Sequence, residues 1–308
     1  MENSNLSLGA ADARFSDPLK AAEYLESIRW PNGPVCPHCG EAERRHYKLK
    51  DSKTRRLWKC AKCRKQFSVM VGTIFEDSKI PLNKWLYAFY LLCSSKKGMS
   101  AHQLHRMLGV TYKSAWFMAH RIRMAMAEAP FQTRLAGVVE ADETYIGGKA
   151  RNRKKRWQGV QKKTGRGVEK APVVALVERG GRVVSMHIAN VTAEELKGAI
   201  RRHVNPTARI MTDSYPSYRG LEAEFAAHQT VDHYKTYVDG EIHTNTVENF
   251  FSILKRGVNG VYHHVSEAHL HRYLSEFDFR YNRRDVTDGE RTVMALAGSE
   301  GKRLRYAS

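Results

Sequence analysis

The sequence predicts an α/β protein in which two small N-terminal modules precede a domain built on a mixed five-stranded sheet with helices. Three features predict this organisation: a pair of C-x-x-C motifs, a helical pattern over 83–127, and alternating strand-like and helix-like segments from Leu135 onward. A chain of 308 residues has room for about two or three domains. We expect a cysteine-containing ribbon at 18–70, an all-α module at 80–128, a sheet domain at 135–285 and a C-terminal tail at 286–308.

The charge balance indicates a polyanionic partner. The chain carries 51 Lys and Arg against 32 Asp and Glu, a net charge of +19, which favours nucleic acid. The longest apolar run, Trp85–Cys93, is far shorter than the ~20 residues of a membrane span. Residues 1–30 lack the pattern of a secretory signal, and five cysteines are too few for a disulfide scaffold. These features predict a cytoplasmic protein in a reducing compartment, without a membrane partner.

Four of the five cysteines form two C-x-x-C motifs with the spacing of a tetrahedral zinc site. Each motif presents two thiolates to one ion, and the interval between the motifs accommodates a short hairpin. The alternatives are two disulfides or four unrelated thiols, which a reducing compartment and the doubled motif disfavour. His38 lies inside the first motif and is interpreted as a solvent-facing spacer. The predicted ligands of this structural Zn²⁺ are Cys36, Cys39, Cys60 and Cys63.

Residues 99–126 have the pattern of a helix-turn-helix. Ser100 and Thr111 are suited to cap two helices that meet at a turn containing Gly109. Basic residues on the second helix supply donors to bases and phosphates if that helix enters a DNA groove. The alternative is an ordinary helical hairpin inside a core. The DNA contacts predicted on this helix are Lys113, Arg121 and Arg123.

From Leu135 onward, hydrophobic alternation and capping signals predict elements in the order β-β-β-α-β-α-β-α. This order is that of a ribonuclease H-like domain, in which the first and fourth strands are neighbours. The predicted strands are Val138–Ile146, Pro172–Val177, Arg182–Ile188, Ala208–Thr212 and Thr230–Tyr234, and the predicted helices are Thr192–His203, Leu221–Ala227 and Asn245–Val258.

A basic insert separates the first two predicted strands. Residues 149–170 hold ten Lys or Arg against the single acid Glu169, a net charge of +9. Such a segment either binds DNA phosphates or remains a solvated basic loop. The presence of Trp157 among the charges favours DNA binding. The DNA contacts predicted here and at the end of the last helix are Arg153, Lys154, Lys155, Arg156 and Arg256.

Three acids are placed to form a catalytic metal site. Asp142 lies on the first strand, Asp213 follows the fourth, and Glu248 lies on the helix that begins at Asn245. Neighbouring strands bring two of these carboxylates together, and a helix packed across the sheet brings the third. Three close carboxylates repel one another unless a cation binds between them. An all-oxygen ligand set suits Mg²⁺ or Mn²⁺, and two such ions catalyse phosphodiester displacement in many sites. Lys255, two helical turns beyond Glu248, is suited to contact a phosphate.

Two further acids flank Asp142 on the first strand. Strand alternation places Glu140 on the same face as Asp142 and turns Glu143 to the other face. Glu140 is therefore interpreted as a supporting carboxylate.

The motifs resemble a known family. The segment from His243 to Arg283, the D-E-T-Y-I-G-G motif beginning at Asp142 and the paired cysteine motifs together resemble DDE transposases of bacterial insertion sequences, in the subgroup with an N-terminal zinc ribbon. The resemblance covers about residues 18–285. It implies that Lys255 accompanies a metal-binding triad formed by Asp142, Asp213 and Glu248.

The family resemblance also implies an activity. We expect a transposase that binds the terminal inverted repeats of its element on double-stranded DNA, cleaves a strand and transfers it to target DNA. One Mg²⁺ would be held by Asp142 and Asp213 and a second by Asp142 and Glu248, and the protein would act as at least a homodimer at the bacterial nucleoid. The alternatives are a DNA-binding regulator with an idle catalytic domain and a structure-specific DNA nuclease.

Overall fold

A computed structural model describes residues 7–51, 55–127, 133–147, 170–232, 238 and 240–304. These residues form two compact units. One unit holds the residues before 128 together with those from Arg283 onward, and the other holds the intervening residues up to Asn282.

The N-terminal part of the first unit consists of two helices and a very small sheet. A module with such short strands has little apolar core, here represented by the ring contact between Trp30 and Phe67 at 5.7 Å. It therefore depends on its cysteines for stability. The elements are α1 (Leu8–Phe15), α2 (Pro18–Arg29) and the antiparallel strands β1 (Tyr47–Lys48), β2 (Trp58–Lys59) and β3 (Gln66–Phe67).

Two capped helices occupy the region of the predicted helix-turn-helix. Ser100 and Thr111 accept backbone N–H groups of the first turns of these helices at 3.2 Å, as their positions predicted. Gly109 adopts φ +57° between them, a left-handed conformation that favours glycine. The helices of this part of the unit are α3 (Leu82–Ser94), α4 (Ala101–Leu108) and α5 (Tyr112–Met126).

The C-terminal residues expected to form a tail contain another helix of the first unit. Helix α9 (Asp288–Ala297) begins with a capping box formed by Thr287 and Glu290. Arg291 Nη1 donates to the carbonyl of Cys93 in α3 at 3.0 Å. Residues 283–304 are thus an integral part of this unit.

The second unit contains the mixed five-stranded sheet that the sequence predicts. The strand order is β6-β5-β4-β7-β8, in which β4 pairs with β7 and β7 with β8 in parallel, while β5 is antiparallel to both of its neighbours. The first and fourth strands of the domain are therefore adjacent. The strands are β4 (Val138–Ile146), β5 (Ala171–Glu178), β6 (Val183–His187), β7 (Arg209–Asp213) and β8 (Ala227–Val231).

Helices cover both faces of this sheet. Helix α6 (Ala193–His203) packs on one face, and α7 (Asn245–Gly257) and α8 (Glu267–Asn282) pack on the other. A π-helical turn, Val258–Tyr262, continues directly from α7. An apolar core lies between the sheet and the helices on each face, so the central strands are buried on both sides.

The segment predicted as the helix Leu221–Ala227 differs in the structure. Only Leu221–Ala223 forms a short 3₁₀ turn, and Ala227 already begins β8. Because Ala227 pairs with Arg209 in the parallel ladder, strand pairing outweighs local helix preference here.

Candidate active site

Strand β4 distributes its residues between the two faces of the sheet. Val139 packs in the core on the α6 side, so that Glu140 and Asp142 face α7. The parallel pairing of β4 with β7 aligns Glu140 with Met211. Since Asp142 and Asp213 each follow this aligned pair by two residues, the register directs both carboxylates to the same face and the same end of the sheet.

Helix α7 brings the third predicted acid to this place. Its apolar stripe, which includes Val247 and Phe250, is buried against the sheet and turns Glu248 toward solvent. A cleft of about 680 Å³ is lined by Asp142, Glu248 and Lys255, although Asp213 is not among its lining residues. The structure thus unites an acid from the strand with an acid and a lysine from the helix.

The three carboxylates do not form a closed cluster of metal ligands, although the charges of Asp213 and Glu248 both act on Asp142. Among the described residues, the four ribbon cysteines are the only group of three or more potential metal ligands whose ligand atoms all lie within 4.8 Å of one another. Each carboxylate instead accepts a hydrogen bond from a donor close to it in the sequence. Asp142 Oδ1 accepts from the Glu143 N–H at 2.7 Å, Asp213 Oδ1 from the Tyr215 N–H at 3.0 Å, and Glu248 Oε1 from the Thr244 hydroxyl at 2.9 Å.

The surroundings of Asp142 make its ionisation unfavourable. Burial raises the pKa of this carboxyl from its usual 3.8 to about 8, and the negative charges of Glu143, Asp213 and Glu248 act in the same direction. The Glu143 N–H that donates to Asp142 opposes the rise in pKa. A carboxyl pKa strongly raised by burial, with neighbouring acids acting in the same direction, is a frequent property of functional sites.

Glu143 has a partner that sequence analysis missed. The buried Tyr218 donates its hydroxyl to Glu143 Oε2 at 2.9 Å, and burial raises the pKa of this phenol well above 10.0, so that it remains a donor. Glu143 also lines the cleft. Tyr218 and Glu143 are 75 positions apart, and no sequence motif with that spacing predicts that they form a hydrogen bond.

The π-helical turn after α7 supplies two more cleft residues that the sequence did not indicate. Asn259 and Gly260 are exposed and line the cleft beyond Lys255. A π-helical turn widens the helix and frequently occurs at functional sites. The nearest sequence signal is the pair Gly257 and Gly260, which marks a helix end.

The predicted zinc ligands converge in the first unit. The Sγ atoms of Cys36 and Cys63 are 3.7 Å apart, as are those of Cys39 and Cys60. Tetrahedral thiolates at Zn–S distances of ~2.3 Å lie about 3.8 Å from one another, so this cluster fits Zn²⁺. His38 is not in the cluster, and its Nε2 lies 3.2 Å from the carbonyl of Gln66.

The two cysteine motifs share one backbone geometry. The residues that follow them, Gly40 and Arg64, adopt φ +72° and +62°, and each returns its N–H to the carbonyl of the first cysteine of its motif. This shared turn points both thiols of a motif toward one centre.

Two of the predicted DNA contacts are wrong. Arg121 and Arg123 are buried, with exposed fractions of 7% and 2%. The Arg121 guanidinium donates to the carbonyls of Ile74 and Glu76 at 2.6 and 3.2 Å, so it satisfies interior backbone groups and is not available to phosphates. An arginine on a helix can bind phosphate or fill the interior, and the residue pattern is the same in both cases.

The remaining predicted DNA contacts have different outcomes. Lys113 is exposed near the start of α5. Arg256 is exposed, lines the cleft and donates to Ser252 Oγ at 2.6 Å. Arg153, Lys154, Lys155 and Arg156 lie outside the described residues.

Comparison with known proteins identifies two domains. An ISXO2-like transposase domain matches residues 134–282, and a transposase zinc-ribbon domain matches residues 19–66.

In the part of the chain that the structure describes, no helix combines the length and apolar character needed to cross a bilayer.

Two curated relatives come from mobile elements or resemble their proteins. An uncharacterized protein in transposable element ISH50 of Halobacterium salinarum is 31% identical over 278 residues, which cover 86% of this chain and 91% of that protein. An uncharacterized transposase-like protein of Haemophilus influenzae is 25% identical over 105 residues, covering 34% of this chain and 85% of that protein. A solved structure of a pre-cleavage Mos1 transpososome aligns with 13% identity and a TM-score of 0.27, over 75% of this chain and 82% of that one, a similarity too low to inform on fold.

A zinc ribbon followed by a transposase domain on a mixed five-stranded sheet defines a class of mobile-element proteins. The chain belongs to the ISXO2-like transposase family.

Proposed function

We propose that the chain binds the terminal inverted repeats of its element and catalyses divalent-metal-dependent cleavage and transfer of DNA strands. The observation that carries the proposal is the cleft shared by Asp142, Glu248 and Lys255, with Asp213 in register on the neighbouring strand. Carboxylate oxygens are the donors that Mg²⁺ and Mn²⁺ prefer, and mutual repulsion explains why these acids need a cation.

In this proposal the residues of the cleft have distinct roles. Asp142, Asp213 and Glu248 would hold two ions after their side chains turn from the present local donors, and the bound ions would activate the attacking oxygen and stabilise the leaving one. Lys255 and Arg256 neutralise the phosphates of the strand in the cleft. A water oxygen would first bond to phosphorus as the bond to the 3′ oxygen breaks, and a water proton would end on that oxygen to give a 3′-hydroxyl. This hydroxyl would then attack a phosphodiester of target DNA and displace the 3′ oxygen of the target strand, which takes up the proton. Because two ends react together, the active form is at least a dimer.

The proposal is tested on the element's own ends. Sequencing the DNA that flanks the gene identifies matched inverted repeats, and duplexes carrying them are incubated with the full chain and Mg²⁺ or Mn²⁺. We expect strand cleavage at the repeat terminus and joining to a target plasmid. Binding without cleavage would instead identify a regulator, and cleavage of branched DNA without repeat preference would identify a structure-specific nuclease; either result overturns the proposal.

The basic insert provides a prediction about DNA affinity. Replacing residues 149–170 with a short neutral turn removes a net charge of +9. If the insert binds phosphates, the plot of log binding constant against log salt concentration becomes less steep, by about 0.9 for each duplex phosphate that the variant no longer neutralises. An unchanged slope in salt titrations would show that the insert does not bind phosphate.

The raised pKa of Asp142 leads to a prediction about pH and metal. Because its folded-state pKa is about 8 and its usual value is 3.8, the folded protein holds a proton that the unfolded chain lacks between these pH values. The contribution of this group to stability is therefore full at low pH and declines as pH rises through that window. Divalent ions compete with this proton, so Mn²⁺ should raise the melting temperature more at pH 8 than at pH 6. The measurement is thermal unfolding in chelator-free buffer, with Asp142→Asn as the control that should lose the response; an equal Mn²⁺ effect at both pH values would contradict the prediction.

A further inference from the structure

Glu140 is a fully buried carboxylate whose partners lie in other elements. Its exposed fraction is 0%, and Arg179 Nε donates to its Oε1 at 2.6 Å. The backbone N–H groups of Thr246 and Val247 donate to its Oε2 at 2.7 and 3.0 Å, and the Thr246 hydroxyl donates to Oε1 at 2.9 Å. One side chain of β4 thus gathers donors from α7 and from the turn after β5.

These bonds give α7 a cap that comes from the sheet. The first N–H groups of a helix have no partner within the helix and are usually satisfied by the side chain of the preceding residue. Here Thr244, at that position, makes no such bond and donates its hydroxyl to Glu248 instead. Glu140 takes over the capping role, and its negative charge is favourable at a helix N-terminus.

Arg179 extends the same attachment to the chain before α7. Besides its bond to Glu140, it donates to the carbonyl oxygens of Glu241 and His243 at 2.8 and 2.9 Å. The guanidinium therefore balances the buried charge of Glu140 and holds the segment that leads into the helix.

We propose that Glu140 is a positioning residue that sets the distance between the strand acid and the helix acid of the cleft. Glu140 lies two residues before Asp142, and the amides that it binds lie one and two residues before Glu248. Because its carboxylate joins β4 to the first turn of α7, loss of these bonds lets the helix shift and separates Glu248 from Asp142. The inference rests on the proposed function, since it assigns Glu140 to the arrangement of the same metal site.

The test compares Glu140→Gln with Glu276→Gln. Glu276 is an equally buried carboxylate of the same unit, but it lies on α8, where its bonds are to Tyr262 and Arg280. Two readouts are taken on the full chain: amide hydrogen exchange of Thr246 and Val247 without added Mg²⁺ or Mn²⁺, and the Mn²⁺ concentration that half-saturates strand cleavage. For Glu140→Gln we expect exchange at these amides to become at least about tenfold faster and the Mn²⁺ requirement to rise by about 10–100-fold, with DNA-end affinity retained.

Each other outcome has a defined meaning. An unchanged exchange rate or an unchanged Mn²⁺ requirement in Glu140→Gln, or equal changes in Glu276→Gln, would overturn the positioning role. If Glu140→Gln does not fold, Glu140→Asp keeps the charge but shortens the side chain, and the same two shifts are expected from it; normal values in Glu140→Asp would overturn the proposal. Absence of cleavage by the wild-type chain would refute the proposed function, whereas the exchange measurement would still report on the attachment of α7.

Discussion

Asp213→Asn is expected to abolish strand cleavage while the chain still binds the ends of its element. Asn keeps the size of the side chain but removes the charge that would hold a divalent ion together with Asp142. Loss of several kcal/mol of charge stabilisation corresponds to a rate decrease of at least about 10³-fold. The measurement pairs a gel-shift assay on inverted-repeat DNA with a single-turnover cleavage assay in Mg²⁺.

The substitution also removes one negative charge and so raises the net charge of the chain by one, which by itself favours DNA binding. Glu224→Gln makes the same change at a surface ion pair with Arg201 and serves as the matched control. It should cleave at the wild-type rate. Retained cleavage in Asp213→Asn would show that this acid does not belong to the metal site and would remove the basis of the proposed mechanism.

Cys60→Ser is expected to release the structural zinc and unfold the ribbon. The ribbon strands contain two residues each, so the metal provides most of the stability of this module. Structural zinc in small modules contributes on the order of 10–16 kcal/mol of apparent binding free energy at neutral pH. We expect the zinc content to fall from one ion per chain to near zero, with rapid proteolysis within residues 31–67 and loss of end binding.

Cys93 offers a control for the general effect of removing a thiol. It is also buried in the first unit, and its Sγ lies 3.8 Å from the carbonyl of Arg291, outside the four-cysteine cluster. Cys93→Ser should therefore retain one zinc. If Cys60→Ser also retains a full equivalent of zinc and an intact ribbon, the four-thiolate assignment is wrong.

Local residue patterns were sufficient to predict the parts of the fold that depend on residues close together in the sequence. Alternating residues predicted β4 with the bounds that the structure shows, and hydroxyl caps at Ser100 and Thr111 predicted where two helices begin. The paired cysteine motifs predicted a cluster that the structure confirms. In each case the chemistry lies within a few residues, or in a repeated motif, and needs no knowledge of distant partners.

Distant pairing decided the features that sequence analysis missed. Ala227 joins β8 because it pairs with Arg209 of the parallel strand β7. Arg121 lies in the interior because the backbone carbonyl of Ile74, 47 positions away, accepts a hydrogen bond from its guanidinium. The bond between Tyr218 and Glu143 likewise depends on the packing of the sheet. None of these partners can be recognised from composition or periodicity.

The sequence alone determined the identity of the residues that can bind zinc, carry the charge surplus and supply acids at the ends of strands, because residue type and spacing define that chemistry. Only the tertiary structure decided which of those residues meet. It placed Asp142, Glu248 and Lys255 around one cleft, and it showed that Glu140 lies at the start of α7. The physical reason is that a hydrogen bond or a shared charge acts over a few ångströms, whereas the residues involved are separated by about a hundred positions along the chain.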